Sequence, residues 1–299
     1  SSHMDHPMSE DPRNELYKLY ARVLKRYQPR MFVFENVMGI SSANEGTTFK
    51  NLKKYLDEKY HKMIYSYVVF NDECEFLDII SLFEVKGFYI IIERNTNENP
   101  NIIESEKMAN IMYFLYNLAE INGFDVILGY SDYVGLPFYT SGIKHIATGW
   151  YENTRKFDRN NFYQKDGMRR PNKRYYSNKL LNSILLIPEL QMIQEKNLLG
   201  SVLSQTQYDH YMYNDLAGSL WTDSYSCLTR WEAENQILKA IDQQRTIYKK
   251  IEFMKQKIYD AKYIYSFLPE DYFDVKSKST HLDMWMVGLH EFEQKIEEI

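Results

Sequence analysis

Short apolar runs alternate with stretches of helical spacing along this chain, and this alternation narrows the choice of fold class. Such runs, rich in Val, Ile, Phe and Tyr, are typical of strands in a buried parallel sheet. They lie at residues 31–34, 65–70, 88–92, 125–129 and 144–148, and the amphipathic stretches between them include 12–28, 47–59 and 102–121. This alternation predicts an α/β fold with a parallel sheet and right-handed connections in the N-terminal half.

The pattern becomes mainly helical after residue 180. Residues 230–266 read as one long amphipathic stretch, and residues 280–299 read as a further helix. The predicted organisation is a tag remnant with its lead-in at 1–10, an α/β domain at 11–150, a basic aromatic segment at 151–180 and a mainly helical region at 181–299.

Charge and cysteine content exclude several classes of protein. The chain carries 36 basic and 41 acidic residues, a net charge of −5, so any contact with nucleic acid must be local. Cys74 and Cys227 lack the spacing of a zinc site or a disulfide framework, which indicates a reduced, cytoplasmic setting without a bound metal. No apolar run approaches the ~18 residues of a membrane span, so no membrane association is predicted.

Positive charge is concentrated at residues 155–179. This segment has nine basic and two acidic residues, and phenylalanines and tyrosines lie between them. Cations neutralise phosphates and aromatic rings stack on exposed bases, so the segment is the best DNA-binding candidate. The alternative is a solvated loop whose arginines pair with acidic residues elsewhere. The predicted contacts are Arg155, Arg159, Arg169, Arg170, Lys173, Arg174 and Tyr175.

Polar residues also lie at or near the ends of three predicted strands. Glu93, Asp132 and His145 follow this pattern, and ligands of parallel α/β folds bind at the carboxyl ends of the strands. They predict a second pocket with hydrolase or transferase chemistry. The alternative for His145 is a hydrogen-bonded histidine in the core.

One part of the chain resembles a known family. Residues 11–16 read Asp-Pro-Arg-Asn-Glu-Leu, and residues 29–42 contain the sequence Phe-Glu-Asn-Val at the end of a predicted strand. Residues 11–60 resemble the cytosine-5 DNA methyltransferases in the region of their Glu-Asn-Val motif. The resemblance implies a Rossmann-like, methyltransferase-type core over residues 11–70.

The resemblance also implies roles for two residues. Glu35 would be the acid that binds the flipped cytosine at N3 and its amino group, and Asn36 would hold the strand end in shape. The alternative is that Glu35 only caps a strand-to-helix turn. Other motifs of the family are missing: neither cysteine follows a proline, and no Gly-rich turn for S-adenosylmethionine precedes residue 11. Either the chain is a truncated or fused remnant of a methyltransferase, or S-adenosylmethionine binds only with a complementing methyltransferase subunit or in a homo-oligomer.

Three functions remain open at this point. The first is a DNA-modification or restriction and phage-defence protein with a partial methyltransferase core that binds DNA and is not catalytically complete alone. The second is an unrelated α/β enzyme with a pocket at the strand ends between residues 92 and 150. The third is a non-enzymatic interaction protein that assembles through its long helix.

Overall fold

The computed structural model describes residues 86–94, 101–150, 155–158, 172–214, 216 and 220–298, together with Arg22 and Arg26. Both arginines are helical, where the sequence predicts the helix 12–28. The chain divides into two compact units, Ser1–Lys86 and Gly87–Ile299. The remaining elements predicted before residue 86, and the residues Glu35, Asn36, Cys74, Arg159, Arg169 and Arg170, lie outside the described residues.

The second unit contains a parallel sheet, as predicted for an α/β fold. Its strands β1 (Gly87–Ile91), β2 (Asp125–Gly129) and β3 (His145–Ala147) are ordered β1-β2-β3. Ile91 pairs with Gly129, and Gly129 pairs with Ala147. The carboxyl ends of the three strands therefore meet at one edge of the sheet.

Helices connect the strands and form most of the rest of this unit. Helix α1 (Ser105–Tyr116) continues into a π-helical turn, Asn117–Ile121, and crosses from β1 to β2. Short helices follow: α2 (Gly135–Tyr139), α3 (Gln191–Glu195), α4 (Leu199–Val202) and α5 (His210–Asn214). The long helices are α6 (Asp223–Asp242), α7 (Ile247–Tyr265) and α8 (Thr280–Glu297). None of the helices in the described part of the chain is both long and apolar enough to cross a membrane.

Helix α8 packs along α1 and closes the core of this unit. Met108 and Met112 of α1 are buried, as are Trp285 and Leu289 of α8. Gly288 allows the close approach, because a Cβ atom there would lie 2.9 Å from Met108 Sδ. The helix predicted at 280–299 is thus confirmed, and apolar residues at steps of three and four form its buried face.

The prediction of one long helix over residues 230–266 is wrong. The stretch is divided between α6 and α7, and residues 243–246 separate them. Thr246 has extended backbone angles, and its side chain accepts a hydrogen bond from Lys249 N, 3.2 Å away. A threonine in this arrangement is an N-cap, which satisfies a backbone donor at the start of a helix. The local capping bond therefore overrides a hydrophobic period that continues across the break.

An antiparallel hairpin begins at the end of the basic aromatic segment and continues beyond it. Strand β4 (Arg174–Ser177) pairs with β5 (Asn182–Leu185). Leu181 in the turn has a positive φ of 53°. The Arg-Tyr-Tyr-Ser sequence of β4 contains two aromatic residues, which favour a half-buried pleated surface.

Candidate functional site

The candidate site lies at the carboxyl edge of the parallel sheet, in the short connections after each strand. Arg94 follows β1, Asp132 follows β2 and Thr148 follows β3. Tyr130 and Asp132 have φ values of 51° and 50°, a left-handed conformation that is uncommon for residues other than glycine. Such local strain is often found where a side chain is placed for function.

Asp132 is the acidic centre of this edge. Its side chain is buried, with a residue exposure of 2%, and Arg94 contributes the positive charge that acts on it. Arg94 Nη2 also donates long hydrogen bonds of 3.4 Å to the carbonyl oxygens of Tyr130 and Ser131. No described residue donates a hydrogen bond to Asp132 Oδ1. One oxygen of a buried carboxylate is thus left for a donor that the described residues do not supply.

Arg230 and Glu234 of α6 form a buried ion pair beside the end of β3. Arg230 Nη1 lies 3.2 Å from both carboxylate oxygens of Glu234 and donates to Thr148 Oγ1 at 2.8 Å. Its Nη2 donates to the carbonyl oxygen of Gly149 at 2.6 Å. Burial raises the pKa of Glu234, and the positive charge of Arg230 opposes that increase. The pair thus ties helix α6 to the chain that leaves the sheet.

Two tyrosines and a further arginine complete the arrangement. Arg155 Nη1 donates to Tyr133 OH at 2.8 Å, and the Tyr133 ring packs against Tyr176 with centroids 4.6 Å apart. Burial raises the pKa of both tyrosines, so both hydroxyls stay protonated at neutral pH. The electrostatic effects on Tyr176 come from Glu234, Tyr133, Arg230 and Asp132, which places these groups in one local network.

We call this network the Asp132 cluster. Burial lowers the pKa of Lys156 and of Arg94, although Asp158, 3.6 Å from the Lys156 ammonium, and Asp132 act in the opposite direction. The cluster consists of Arg94, Asp132, Tyr133, Arg155, Lys156, Asp158, Tyr176, Arg230 and Glu234.

The structure separates His145 from the other two residues predicted to line a second pocket. Asp132 lies in the cluster, and Glu93 lies just after β1, where it is half-buried and forms a backbone bridge with Phe157. His145 begins β3 instead of ending it, and it is exposed. The interpretation of His145 as a core histidine is therefore wrong, and its position is away from the carboxyl edge.

The described members of the predicted DNA-binding set contact the protein itself. Arg155 is buried in the Asp132 cluster, and Lys173 is half-buried. Arg174 pairs with Asp274 at 2.5 Å. Tyr175 is fully buried, and its hydroxyl donates to Asp209 Oδ1 at 2.9 Å, so its ring has no face on which a base could stack.

Several members of the cluster, including Arg230 and Glu234, were not predicted from the sequence. Both lie on the same stripe of α6 as the buried Ile237 and Ile241, at steps of three and four residues. A charged pair four residues apart on an apolar stripe predicts a buried ion pair, which is the signal that could have identified it.

In the part of the chain that the structure covers, no three His, Cys, Asp or Glu side chains converge as ligands of a metal ion would. The Asp132 cluster contains no Gly-rich turn of the kind that binds S-adenosylmethionine in the methyltransferase family. It therefore does not fit that cofactor.

Comparison with known proteins identifies one segment of the chain. Residues 1–71 match the family model of the C-5 cytosine-specific DNA methylases. A type II methyltransferase of Bacillus paralicheniformis is 37% identical over 57 residues, which are 19% of this chain and 13% of that protein. A type II methyltransferase of Haemophilus parahaemolyticus is 36% identical over 55 residues, which are 18% of this chain and 15% of that protein.

The aligned segment thus spans about one seventh of the length of these two relatives. No solved structure matches the chain significantly. These comparisons confirm the resemblance for the N-terminal segment and leave the remainder unrecognised. Residues 1–71 are a segment similar to the C-5 cytosine-specific DNA methylases.

Proposed function

We propose that this protein takes part in DNA modification within a restriction-modification or phage-defence system. The observation that carries the proposal is the match of residues 1–71 to the C-5 cytosine methylase family. In this proposal residues 11–70 form the base-reading part of a methyltransferase core. The two relatives are both type II methyltransferases, which supports a restriction-modification setting.

Glu35 and Asn36 would carry the chemistry of this segment. Attack of a thiolate on C6 of cytosine places negative charge on the ring, and an acid bonded to N3 relieves it. Glu35 would supply that acid and read the amino group of the same base. Asn36 would fix the strand end from which Glu35 reaches the flipped cytosine.

The nucleophile would come from a second chain. Cys227 Sγ donates a hydrogen bond to the carbonyl oxygen of Trp150, 2.9 Å away, and burial raises the pKa of its thiol. A thiol in this state is a poor nucleophile, because the reactive species is the thiolate. Cys74 has acidic neighbours on both sides, and those charges also disfavour a thiolate. A complementing subunit would supply both the reactive cysteine and the S-adenosylmethionine site.

Methyl transfer tests this division of labour. The full chain would be incubated with duplex DNA and S-adenosylmethionine labelled in its methyl group. No label is expected in the DNA from this chain alone. Label on cytosine would show that the chain is catalytically complete and would overturn the need for a partner.

DNA contact would come from the basic segment 155–179. Arg159, Arg169 and Arg170 are its candidates, since Arg155, Arg174 and Tyr175 contact the protein. Charge reversal of Arg169 and Arg170 to Glu should weaken duplex binding and lower the slope of log affinity against log salt by about two units, about one for each lost phosphate contact. Fluorescence anisotropy at several salt concentrations measures this.

A matched control keeps the net charge change the same. Arg245 and Lys249 are exposed positions near the start of α7, outside the basic segment. Reversal of both to Glu should leave the salt slope unchanged. Equal losses in the two double variants would mean that the chain binds DNA through its overall charge, and the local patch would be rejected.

A second candidate function rests on a separate observation. The three strands of Gly87–Ile299 end at one edge, and Asp132 there has a carboxylate oxygen that no described residue contacts by a hydrogen bond. We infer that this unit has an α/β ligand site of its own. Hydrolase or transferase chemistry would use Asp132 as base or nucleophile, and Glu93 lies at the same edge. Loss of catalytic turnover in the Asp132→Asn variant, with ligand binding retained in the Glu93→Gln variant, would support this second function.

A further inference from the structure

A groove between α7 and α8 is open on the surface of the second unit. Its volume is about 550 Å³, and its lining includes Tyr248 and Tyr259 of α7 and Met286 of α8. Tyr248 is 44% exposed, Tyr259 is 64% exposed, and Tyr263, one turn further along α7, is 62% exposed. Contiguous exposed apolar surface marks interaction sites, and tyrosine is enriched at protein interfaces.

The three tyrosines lie on one stripe of α7. At 3.6 residues per turn, Tyr248, Tyr259 and Tyr263 fall within about 60° of one another around the helix axis. The buried residues of α7 form a different face, whose centre is about 130° away from this stripe. Helix α7 therefore has a second face with large aromatic side chains, besides the face that it buries in the core.

The charged groups that line the groove are already paired with one another. Lys249 Nζ lies 2.7 Å from a carboxylate oxygen of Glu252, and Lys255 Nζ lies 2.5 Å from a carboxylate oxygen of Glu293. The lining thus contains two cations and two carboxylates, and it is neutral. A polyanion such as DNA, or an anionic membrane, is not attracted to a neutral surface. The occupant should instead be a neutral surface that packs against tyrosine.

The order of residues along the tyrosine stripe is complementary to its own reverse. In an antiparallel pair of α7 helices with a two-fold axis between residues 255 and 256, Tyr248 faces Tyr263 of the second copy. Glu252 then faces Tyr259, whose hydroxyl can donate to the carboxylate while its ring packs on the helix. A parallel pair would instead place Glu252 opposite Glu252, and such like charges oppose association.

The lysines beside the stripe do not oppose the antiparallel arrangement. Lys255, near the axis, faces the amide side chain of Gln256. Lys249 and Lys262 come to the same level, but they lie on opposite edges of the stripe. Each of these two is paired with a carboxylate of its own chain, Glu252 or Asp283. The antiparallel pair therefore brings no uncompensated like charges together.

We propose that α7 and the groove beside it form the interface of a homodimer, with a second copy of this chain as the occupant. In the dimer, α7 of each copy lies antiparallel in the groove of the other copy. The two α7 helices and the two α8 helices then form a four-helix bundle around the two-fold axis. This inference does not depend on the proposed function, because the pure chain should dimerise whether or not it takes part in DNA modification.

Sedimentation equilibrium of the full chain over a range of concentrations tests the proposal. Wild-type protein should have twice the mass of one chain, with a dimer Kd below about 10 μM. Tyr259→Glu places a carboxylate opposite Glu252, and the two-fold axis repeats this contact, so the Kd should rise at least about a hundredfold. The double variant Tyr259→Glu with Glu252→Lys places opposite charges at the same contacts and should recover the dimer.

Tyr272→Glu is the matched control. Tyr272 is 77% exposed and lies outside α7, in the turn Glu270–Tyr272. The same change of side chain there should leave the dimer Kd unchanged. Since the replaced side chains are exposed, each variant should keep the far-UV circular dichroism of the wild type, which separates a loss of association from a loss of folding.

Disulfide cross-linking with oxidised glutathione tests the antiparallel register. With Cys74 replaced by Ser and Cys227 buried, Lys255→Cys lies beside the axis and should give a covalent dimer. Tyr248→Cys alone should not, because the two copies of residue 248 would lie about 22 Å apart along the helices, whereas a disulfide needs Cα atoms within about 7 Å. A chain with both Tyr248→Cys and Tyr263→Cys should cross-link again.

Three results would overturn the proposal. A wild-type chain that stays monomeric at every concentration would show that a second copy does not occupy the groove. A dimer that Tyr259→Glu weakens no more than Tyr272→Glu does would place the interface elsewhere. Cross-linking of Tyr248→Cys to itself would mean that the α7 helices are parallel. None of these results affects the proposed function, since methyl transfer and DNA binding are measured separately.

Discussion

Replacement of Arg230 by Met is the change from which the structure predicts the largest effect on stability. The guanidinium is fully buried and contacts Glu234, Thr148 Oγ1 and the carbonyl oxygen of Gly149. Met is flexible and close in length, so the cavity left behind is small. The loss comes instead from Glu234, which stays buried without its cation, and from two acceptors that lose their donor.

The magnitude follows from these contacts. Removal of one partner of a buried ion pair costs about 3–5 kcal/mol, and the two orphaned acceptors place Arg230→Met at the upper end of that range. For a unit of this size the melting temperature should fall by about 10–20 °C. The double variant Arg230→Met with Glu234→Leu removes the uncompensated charge, so it should recover more than half of the loss.

The loss should also depend on pH in a defined direction. Burial already raises the pKa of Glu234, and without Arg230 the charge that opposes this increase is gone. Between the unfolded pKa and the raised folded pKa, the native state binds a proton that the unfolded state has released. The free energy of unfolding of Arg230→Met therefore falls as pH rises above about 4.5, by at most about 1.4 kcal/mol per pH unit.

Urea unfolding of wild-type, both single variants and the double variant at pH 5 and pH 7 measures all of these terms in one cycle. A loss below about 1 kcal/mol for Arg230→Met, or additive effects in the double variant, would refute the reasoning. Either result would mean that the pair is solvated and that the Asp132 cluster is more open than its burial indicates.

Three further changes test local parts of the fold. Thr246→Ala removes the N-cap of α7 and should lower the free energy of unfolding by about 1 kcal/mol in urea unfolding. Gly288→Val places side-chain atoms against Met108 Sδ, so α8 must move away from α1. Calorimetry should show a lower melting temperature, which corresponds to a loss of about 1–3 kcal/mol in the free energy of unfolding. Burial lowers the pKa of His281 to about 4, although its two carbonyl contacts favour the protonated ring. The neutral His281 ring therefore stabilises the folded state fully above about pH 6.5, and this stabilisation is lost as pH falls toward about 4. His281→Gln should flatten the dependence of the free energy of unfolding on pH between these values.

The sequence predicted the elements whose signal is local. Strand β2 has the predicted bounds of 125–129, and α8 begins at the predicted residue 280, because a short apolar run and a regular apolar stripe both act over a few residues. The hairpin of β4 and β5 was not predicted, since its arginine and tyrosines read as a basic loop. Arg174 is neutralised by Asp274, which is 100 residues away in sequence.

The candidate site was predicted only in part for the same reason. Asp132 was identified because it follows a strand that the sequence shows clearly. Arg230 and Glu234 come from α6 and reach the sheet edge only through tertiary packing. Sequence spacing within one helix could pair them with each other but could not place them beside β3.

In the proposed function, Glu35 would read a cytosine that has left the helical stack. The most direct test compares the affinity of the full chain for two duplexes, one with a fully paired cytosine and one with the same cytosine in a mismatch, which costs less to flip. The account predicts at least about tenfold tighter binding to the mismatched duplex, and loss of that preference in Glu35→Ala but not in Glu104→Ala, a change in the second unit before α1. Equal affinity for the two duplexes, or an unchanged preference in Glu35→Ala, would contradict the account.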